Sequence, residues 1–599
     1  MPAGLLLITG AIVYVASASY QRYSRLSTGP APLEHLQTSP RARAASPFDK
    51  GCEVPEGKCV ESCCPVGFTC AKAGDPGLGQ KLKNLVMRGK RWEFCSPLHF
   101  AASDACLSAS DPGCATLVNK IEQETHAWVL IITTGGGGGH LAAAKNVGFG
   151  LKEAWRERVD ASLAEVEAMG DSLFKPQSLT AIKQTLAAVR DRSTPLEYID
   201  VMKSPCTNVL GEMGVHVGGK FESAWDIAQR EGNVKRQQFI AMPFWNQMLN
   251  QVFGRQCHHY MHSVLVNHRL PREGAPSHVV SVEPLFMWPI LKAATDAGFR
   301  VDQYLTDLPG AKCENFLVPL RRLADAHPRY CKNFFLHTIP PPDGDVNEIA
   351  RVTHLAVSQI IIERFMPISP KFLDGSFPKP GEATDITIKA QLLEEDAFLG
   401  GKEKRFAVAA EDKVTLVMMG SHPTGSALFE YLNQIQQLAR AGPHKYWFFM
   451  ACGPHKKQAF ADIYAEMSNR AFVFNKLQVA LGQSFRVVPF TGQPAQVIEG
   501  RADVTITRSG GMTAGELLAL DARGDKRLVL IHMENTGGNT TLLIPPADPA
   551  DMEQWESDLL EASMVSWEAN NAKYLLEKVG ARLVTPLTFA SMVQPVLLE

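Results

Sequence analysis

The stretch "TTGGGGGHLAAAK", residues 133 to 145, sets five consecutive glycines between an apolar run and a histidine that opens a helix-like segment. A buried strand that runs into a glycine turn and then a helix bares backbone N–H groups at the carboxyl edge of a sheet, beside a positive helix end. Anionic ligands bind at such edges. Gly136, Gly137, Gly138 and Gly139 are therefore candidate substrate contacts, the competing reading being a flexible loop that holds nothing. His140 stands at the helix start, where the dipole favours a neutral imidazole that can act as a general base near pH 7. A capping or merely exposed histidine is the plainer alternative.

A second stretch, "ADVTITRSGGMTAGELLAL", residues 502 to 520, repeats the arrangement of strand, glycine turn and helix. Ser509, Gly510, Gly511 and Thr513 can present donors to a diphosphate, and Arg508 can add positive charge. Glu516 falls in the first helical turns. A carboxylate there can accept from both hydroxyls of a ribose, although the helix dipole alone also favours a glutamate.

Both stretches need a sheet to carry them, and the chain supplies two series of short apolar runs separated by amphipathic segments. The first holds "AWVLIITT", "HVVSVEPLF", "RVDQYLTDL" and "THLAVSQIII"; the second holds "KVTLVMMG", "KYWFFMACG", "FRVVPF", "ADVTITR" and "KRLVLIHM". Such alternation predicts βαβ units and parallel sheets. The expected fold class is α/β, with two doubly wound domains facing a cleft, residues 126–366 and 413–599, joined through residues 367–412, which start in a Pro- and Gly-dense stretch. With 599 residues and 45% apolar composition, the chain is long enough for about two to four domains. A formal charge of -2 and the absence of a long basic block argue against nucleic acid as the main partner.

The N-terminal residues are of another kind. Ala3 to Tyr20 carries no charge, and as a helix it would extend about 27 Å, enough to span a bilayer. A single-pass anchor is expected, with a cleaved signal segment as the alternative because Ala16-Ser17-Ala18 fits a cleavage pattern. Residues 21–51 read as a linker, with arginines that would favour the cytoplasmic side. Eight of the 13 cysteines, Cys52, Cys59, Cys63, Cys64, Cys70, Cys95, Cys106 and Cys114, follow within residues 52–115. They suggest a small disulfide-held module, which forms in an oxidising compartment, and zinc is the alternative. The two topology signals oppose one another and leave the side of the membrane open.

"GGGGGH" and "RSGGMTAGE" together resemble the glycosyltransferase family that contains the bacterial N-acetylglucosaminyltransferase of lipid II synthesis and the plant monogalactosyldiacylglycerol synthases. The family's C-domain motif, close to R-S-G-x-x-T-x-x-E, is met at Arg508, Ser509, Gly510, Thr513 and Glu516. "WEANNAKYLLEKVGA" is similar to its Q-E/Q-x-x-N-A segment, which implies that Glu568 and Asn571 lie near the donor sugar. "VSVEPLF" is similar to "SVHPL" of the galactolipid synthases with Glu283 in place of His, and "YLTDL" to their "TDL" around Asp307. The likeness runs over residues 126–599 and is more specific in the second half. It departs from the family in an extra glycine, in Glu283, and in a long segment, residues 535–565, ahead of Glu568.

This resemblance implies two Rossmann-like domains in the GT-B arrangement and direct displacement, with inversion, at the anomeric carbon of a UDP-sugar. The base would be His140, with Asp307 or Glu283 as orienting partner or rival base. Residues 509 to 513 would stabilise the diphosphate, helped by "GSHPTGS" and its Ser421, with no metal or cofactor required. Phe490 and Thr491 would frame the uracil, unless Phe490 is a core aromatic. The acceptor is expected to be a lipid or membrane-associated molecule. A UDP-sugar 2-epimerase and a non-catalytic glycan or nucleotide-sugar binding module remain the alternatives. The cluster Cys257, His258, His259 and His262 reads as an incidental set on a helix, and "FIAMPFWNQMLNQVFG" as core or, alternatively, an interfacial helix.

Overall fold

A computed structural model describes residues 68–72, 93–97, 105–125, 128–134, 139–191, 196–207, 217–268, 277–283, 286–309, 317–342, 344–389, 398–399, 401–420, 422–438, 444–453, 458–492, 495–534 and 540–598. The chain forms two compact units, one of residues 1–126 and 159–194, the other of residues 127–158 and 195–599. The expected membrane segment, residues 1–20, and the linker, residues 21–51, lie outside the described residues. Among those described, no helix is long and apolar enough to cross a membrane.

In the first unit, β1 (Phe68–Lys72) pairs antiparallel with β2 (Glu93–Pro97), a register that sets Cys70 opposite Cys95. The helix Pro112–Thr125 starts at a carboxylate cap: Asp111 Oδ1 accepts from the N–H groups of Gly113, at 2.8 Å, and Cys114, at 3.1 Å. A disulfide joins Cys106 to Cys114, with the Cα atoms 5.8 Å apart; the cysteine pattern suggests disulfides but not which residues pair. Cys52, Cys59, Cys63 and Cys64 lie outside the described residues.

The second unit holds two six-stranded parallel sheets. The first is built from β3 (Trp128–Thr133), β4 (Leu196–Asp200), β5 (Ser277–Ser281), β6 (Arg300–Tyr304), β7 (Phe334–Thr338) and β8 (Ile360–Ile362), in the order β4-β3-β5-β6-β7-β8. Between the sheets in sequence comes an antiparallel hairpin, β9 (Thr384–Lys389) with β10 (Glu403–Val408). The second sheet is built from β11 (Lys413–Met418), β12 (Tyr446–Ala451), β13 (Phe485–Phe490), β14 (Val504–Thr507), β15 (Leu528–His532) and β16 (Arg582–Val584), in the order β13-β12-β11-β14-β15-β16. This is the α/β architecture of two doubly wound lobes.

The sequence explains the layering. Strands such as "YWFFMA" in β12 are buried along their whole length, as parallel strands covered on both faces must be. The lobes share an apolar seam: Val129, Ile131 and Val280 of the first sheet belong to the same cluster as Met512, Leu517 and Val529 of the second, with Met366, Ile368 and Phe372 between. One expectation is corrected. "THLAVSQIII" is strand only at Ile360–Ile362, because the preceding helix Val346–Thr353 ends on His354 at φ 57° and a 3-10 turn, Val357–Gln359, follows.

Strand order locates the site. In the first sheet β4 lies on one side of β3 and β5 on the other; in the second, β12 lies on one side of β11 and β14 on the other. Each sheet therefore reverses direction once at its first strand. Ligands of open α/β sheets bind in the crevice at such a reversal, beyond the carboxyl ends of the strands. β3 and β14, the strands that precede the two glycine stretches in sequence, both stand at these reversals.

Candidate functional site

His140 lies in the first turn of the helix Gly139–Leu173 and keeps part of its surface open. Its Nδ1 is 3.0 Å from the carbonyl oxygen of Val282, the residue that follows β5. A carbonyl only accepts, so Nδ1 carries a proton, and in the neutral ring the lone pair is then on Nε2. Thr306 Oγ1 lies 3.1 Å from the same Nδ1. Gly139 sits against the second lobe: a Cβ there would lie 3.6 Å from Cγ of Met512, in the first turn of the helix Gly511–Ala522. Two helix starts thus meet at one point. Gly136, Gly137 and Gly138 lie outside the described residues, as does Ser421.

The turn after β6 is the other wall. Asp307 retains an open edge, yet burial pushes its carboxyl up to about 6 against the pull of Asn571 and Thr306. Asn571 is fully buried on the helix Ser566–Val579. Its Nδ2 donates to Asp307 Oδ1 and to the Ser509 carbonyl, both at 2.9 Å, and its Oδ1 accepts from the N–H of Leu308 at 2.7 Å. The amide pins the Asp307 turn to the second glycine turn. Its hydrogen bonds are made within the protein, whereas the resemblance implied a place near the donor sugar. Ser509 likewise turns inward: its backbone is left-handed at φ 55°, and its hydroxyl donates within the protein, 2.6 Å from the Arg508 carbonyl and 2.9 Å from that of Glu568.

What remains open to a ligand here is backbone. Gly510 is the N-cap of the helix Gly511–Ala522 and has no side-chain cap, so the first-turn amides of Gly511, Met512 and Thr513 have no acceptor of the helix's own. Gly510, Gly511 and Thr513 are half-buried. Gly511 has a second reason to be glycine. A Cβ on it would lie 1.8 Å from the Thr306 carbonyl oxygen and 2.9 Å from Asp307 Oδ1.

Arg508 is buried and already matched. Its Nη2 donates to Gln237 Oε1 at 3.0 Å and lies 3.6 Å from Glu568 Oε2, while Nη1 lies 3.7 Å from Glu534 Oε1. Burial would raise the Glu534 carboxyl, but His532, Arg508 and the Thr424 hydroxyl hold it down at about 2. Burial raises Glu568, with Arg508 opposing. The guanidinium therefore ties together the helix Val234–Ile240, the end of β15 and the helix Ser566–Val579, and its charge is neutralised before any diphosphate arrives.

Glu516, near the middle of the helix Gly511–Ala522, is buried beside Glu499. Burial pushes Glu516 up to about 7, with the polar side chains of Glu499 and Gln496 opposing. Glu499 is raised well above the usual carboxylate range by complete burial and then by the charge of Glu516, so of the two it is the carboxyl held protonated. Glu283, the alternative base, is fully buried and does not face an open surface. Phe490 is a core aromatic packed among Val414, Phe449 and Ile498, and Thr491 is buried too. Gln237 and Glu534 carry no local motif; Val282 and Thr306 lie inside the stretches "VSVEPLF" and "YLTDL", but sequence reasoning did not single them out as site residues.

The Cys257 cluster is partly structural: Cys257 is bonded to Cys206, and His258 Nε2 lies 3.0 Å from Asp296 and 3.1 Å from Lys292. Among the described residues no group of three His, Cys, Asp or Glu side chains is arranged to hold a metal ion. The described part of the 239–254 stripe lends Phe253 to the first lobe's core and leaves Phe239 and Met242 exposed.

No protein-family model matches the chain, and no curated protein does. Among solved structures it is similar to MurG of Acinetobacter baumannii, with 11% identity, 79% of this chain and 90% of that chain covered, and a TM-score of 0.33. It is also similar to Arabidopsis thaliana UGT89C1 complexed with UDP-L-rhamnose, with 12% identity, 78% and 88% covered, and a TM-score of 0.33. A third is an alpha,alpha-trehalose-phosphate synthase (UDP-forming) from Burkholderia xenovorans in complex with glucose-6-phosphate, with 10% identity, 68% and 88% covered, and a TM-score of 0.29.

Proposed function

We propose that this chain is an inverting glycosyltransferase that moves a hexose or N-acetylhexosamine from a UDP-sugar to a lipid or membrane-associated acceptor. The observation that carries the reading is His140, whose Nδ1 is fixed on the Val282 carbonyl so that Nε2 stays free to take a proton, beside the uncapped helix start at Gly510. The acceptor oxygen forms its bond to the anomeric carbon as the bond from that carbon to the diphosphate oxygen breaks. The acceptor's proton goes to Nε2, and UDP leaves with the bonding electrons. Negative charge growing on the diphosphate faces the amides of Gly511, Met512 and Thr513. Ionised Glu516 accepts from the ribose hydroxyls. Ala3 to Tyr20 serves as a single-pass anchor that keeps the site near its acceptor.

Incubation with a panel of labelled UDP-sugars and membrane extract tests the reading. Release of UDP together with label in an extractable lipid supports it. Release of a free epimerised sugar, or binding without turnover, overturns it. His140→Ala lowers transfer by about 10²- to 10⁴-fold while UDP affinity stays within roughly threefold, because the nucleotide is held by the other lobe. Near-normal turnover by that variant at every pH places the base elsewhere.

A further inference from the structure

The carboxyl edge of the second lobe, where the proposed function puts the nucleotide, is crossed by an element of the first lobe. The helix Val217–Arg230 turns at residues 231–233 into the helix Val234–Ile240. Two bonds brace this hairpin into one body: Asn233 Oδ1 accepts from the Arg236 N–H at 3.0 Å, and Gln237 Nε2 donates to the Ala228 carbonyl at 3.1 Å. Its root belongs to the first lobe, since Glu222 accepts from the Thr134 hydroxyl at 2.9 Å and Phe221 packs against that lobe's core. The rest lies on the second lobe. Asp226 Oδ1 is 3.2 Å from His422 Nε2, and the Gln229 carbonyl is 3.4 Å from Thr424 Oγ1. Gln237 Oε1 accepts from Arg508 at 3.0 Å, and Gln238 Nε2 donates to the carbonyls of Glu561 and Met564, both at 2.8 Å. The rings of Trp225 and Trp567 lie 5.6 Å apart. At the tip Gly232 has φ 60°, and a Cβ there would lie 2.9 Å from Glu534 Oε2. These partners follow β11, β14 and β15, or stand where the helix Met552–Ser563 meets the helix Ser566–Val579.

We propose that this hairpin is a strap that gates the second lobe's edge, lifting to admit and to release the nucleotide. The inference rests on the reading of that edge as the UDP-sugar site. Two kinds of contact join the lobes. The seam of Val129, Ile131, Met366, Ile368, Met512 and Leu517 is apolar, and so close that a Cβ on Gly515 would lie 2.6 Å from Met366 Cβ. Parting it would bare apolar surface to water. The strap is held instead by polar contacts and one aromatic pair, and water replaces hydrogen bonds at little net cost. The strap therefore lifts while the seam stays packed, a local opening rather than a parting of the lobes. Lifting also takes Gln237 from Arg508, so that entry of the nucleotide and release of the guanidinium from the first lobe are one event.

The test uses the full chain with Gln238→Ala, which removes both bonds to the Glu561 and Met564 carbonyls, and Trp225→Leu, which removes the ring contact. Binding of UDP is followed in stopped flow by tryptophan fluorescence. Association and dissociation both quicken by about fivefold in Gln238→Ala while Kd stays within roughly twofold, because a gate is crossed in both directions and the strap is not what holds the nucleotide. A contact that only stabilises the fold would lower the thermal midpoint without moving either rate. In protein labelled with fluorotryptophan, the fluorine resonance of Trp567, assigned by its loss in Trp567→Phe, moves in Gln238→Ala toward its position in Trp225→Leu. Unchanged UDP rates in both variants, or a Trp567 resonance that Gln238→Ala leaves in place, overturns the strap. If the wild-type chain binds no UDP, the nucleotide reading of the edge fails, and the fluorine resonance still decides whether the hairpin lifts.

Discussion

In the proposed function one proton on Glu516 would tie folding to nucleotide binding. Burial lifts its carboxyl to about 7, and a carboxylate must be ionised to accept from both ribose hydroxyls. If Glu516 holds a ribose as proposed, UDP binding expels a proton around neutrality, and affinity is expected to rise by about tenfold between pH 6 and pH 8. Calorimetry in two buffers of different ionisation enthalpy measures that proton directly. Glu516→Gln abolishes the pH dependence and weakens UDP at pH 8 by about 1–3 kcal/mol; unchanged affinity in a folded variant removes Glu516 from the ribose. The sign for stability is the reverse. A carboxyl raised in the folded state binds its proton more tightly than in the unfolded chain, so the empty fold loses stability as pH climbs from the ordinary glutamate range through 7. The motif made Glu516 visible from sequence because it is local, whereas Glu499, the buried carboxyl raised by the charge of Glu516, stands on the helix Ala495–Arg501 and leaves no trace in that motif.

At the scale of elements, the two glycines of the turn after β14 are not interchangeable backbone. Gly510 has a φ of -57° and nothing within 4 Å of a built Cβ, whereas Gly511 would drive its Cβ into the Thr306 carbonyl. Gly510→Ala is therefore expected to leave transfer within about threefold, and Gly511→Ala to cost at least 10²-fold by displacing the Thr306 turn from His140. Equal behaviour of the two variants contradicts the close approach. A second elemental tie is His337 on β7. Its Nδ1 lies 2.7 Å from Glu363 and its Nε2 3.0 Å from Asp302 on β6, and the Tyr304 ring stacks on it at 4.1 Å. Burial lowers its proton affinity, but the two carboxylates reverse that and leave it raised. A raised histidine contributes stability fully below its unfolded value near 6.5 and loses it as pH rises through the folded value. The denaturation midpoint of the wild-type chain should thus fall more steeply between pH 6 and pH 9 than that of His337→Gln; parallel profiles would mean the ring is neutral when folded.

The whole molecule was legible where one physical signal was local and strong. Strands such as β3, β12 and β14 read as apolar runs because both faces are covered, and the helix starts at Gly139 and Gly511 were legible because each follows its glycine stretch directly in sequence. β4, "LEYID", and the hairpin of "TDITIK" with "EKRFAV" mix charge into their runs and were not singled out. The partners that make the site work were hidden by distance: Val282 is 142 residues from His140, Thr306 is 166, and Gln237 is 271 from Arg508. Membrane contact is the remaining question at this scale. Ala3 to Tyr20 is charge-free and, as a helix, about 27 Å long, while no helix among the described residues is suited to crossing a bilayer. Removing residues 1–20 is therefore expected to move the chain from washed membranes to the soluble fraction, with the thermal midpoint of the two-lobed unit unchanged. The informative opposite result is retention. The helix Gln458–Ala480 bears exposed Phe472, Val473 and Leu477 around Lys476, and a truncated chain that stays bound in low salt but leaves after Leu477→Glu would place the contact on that face instead.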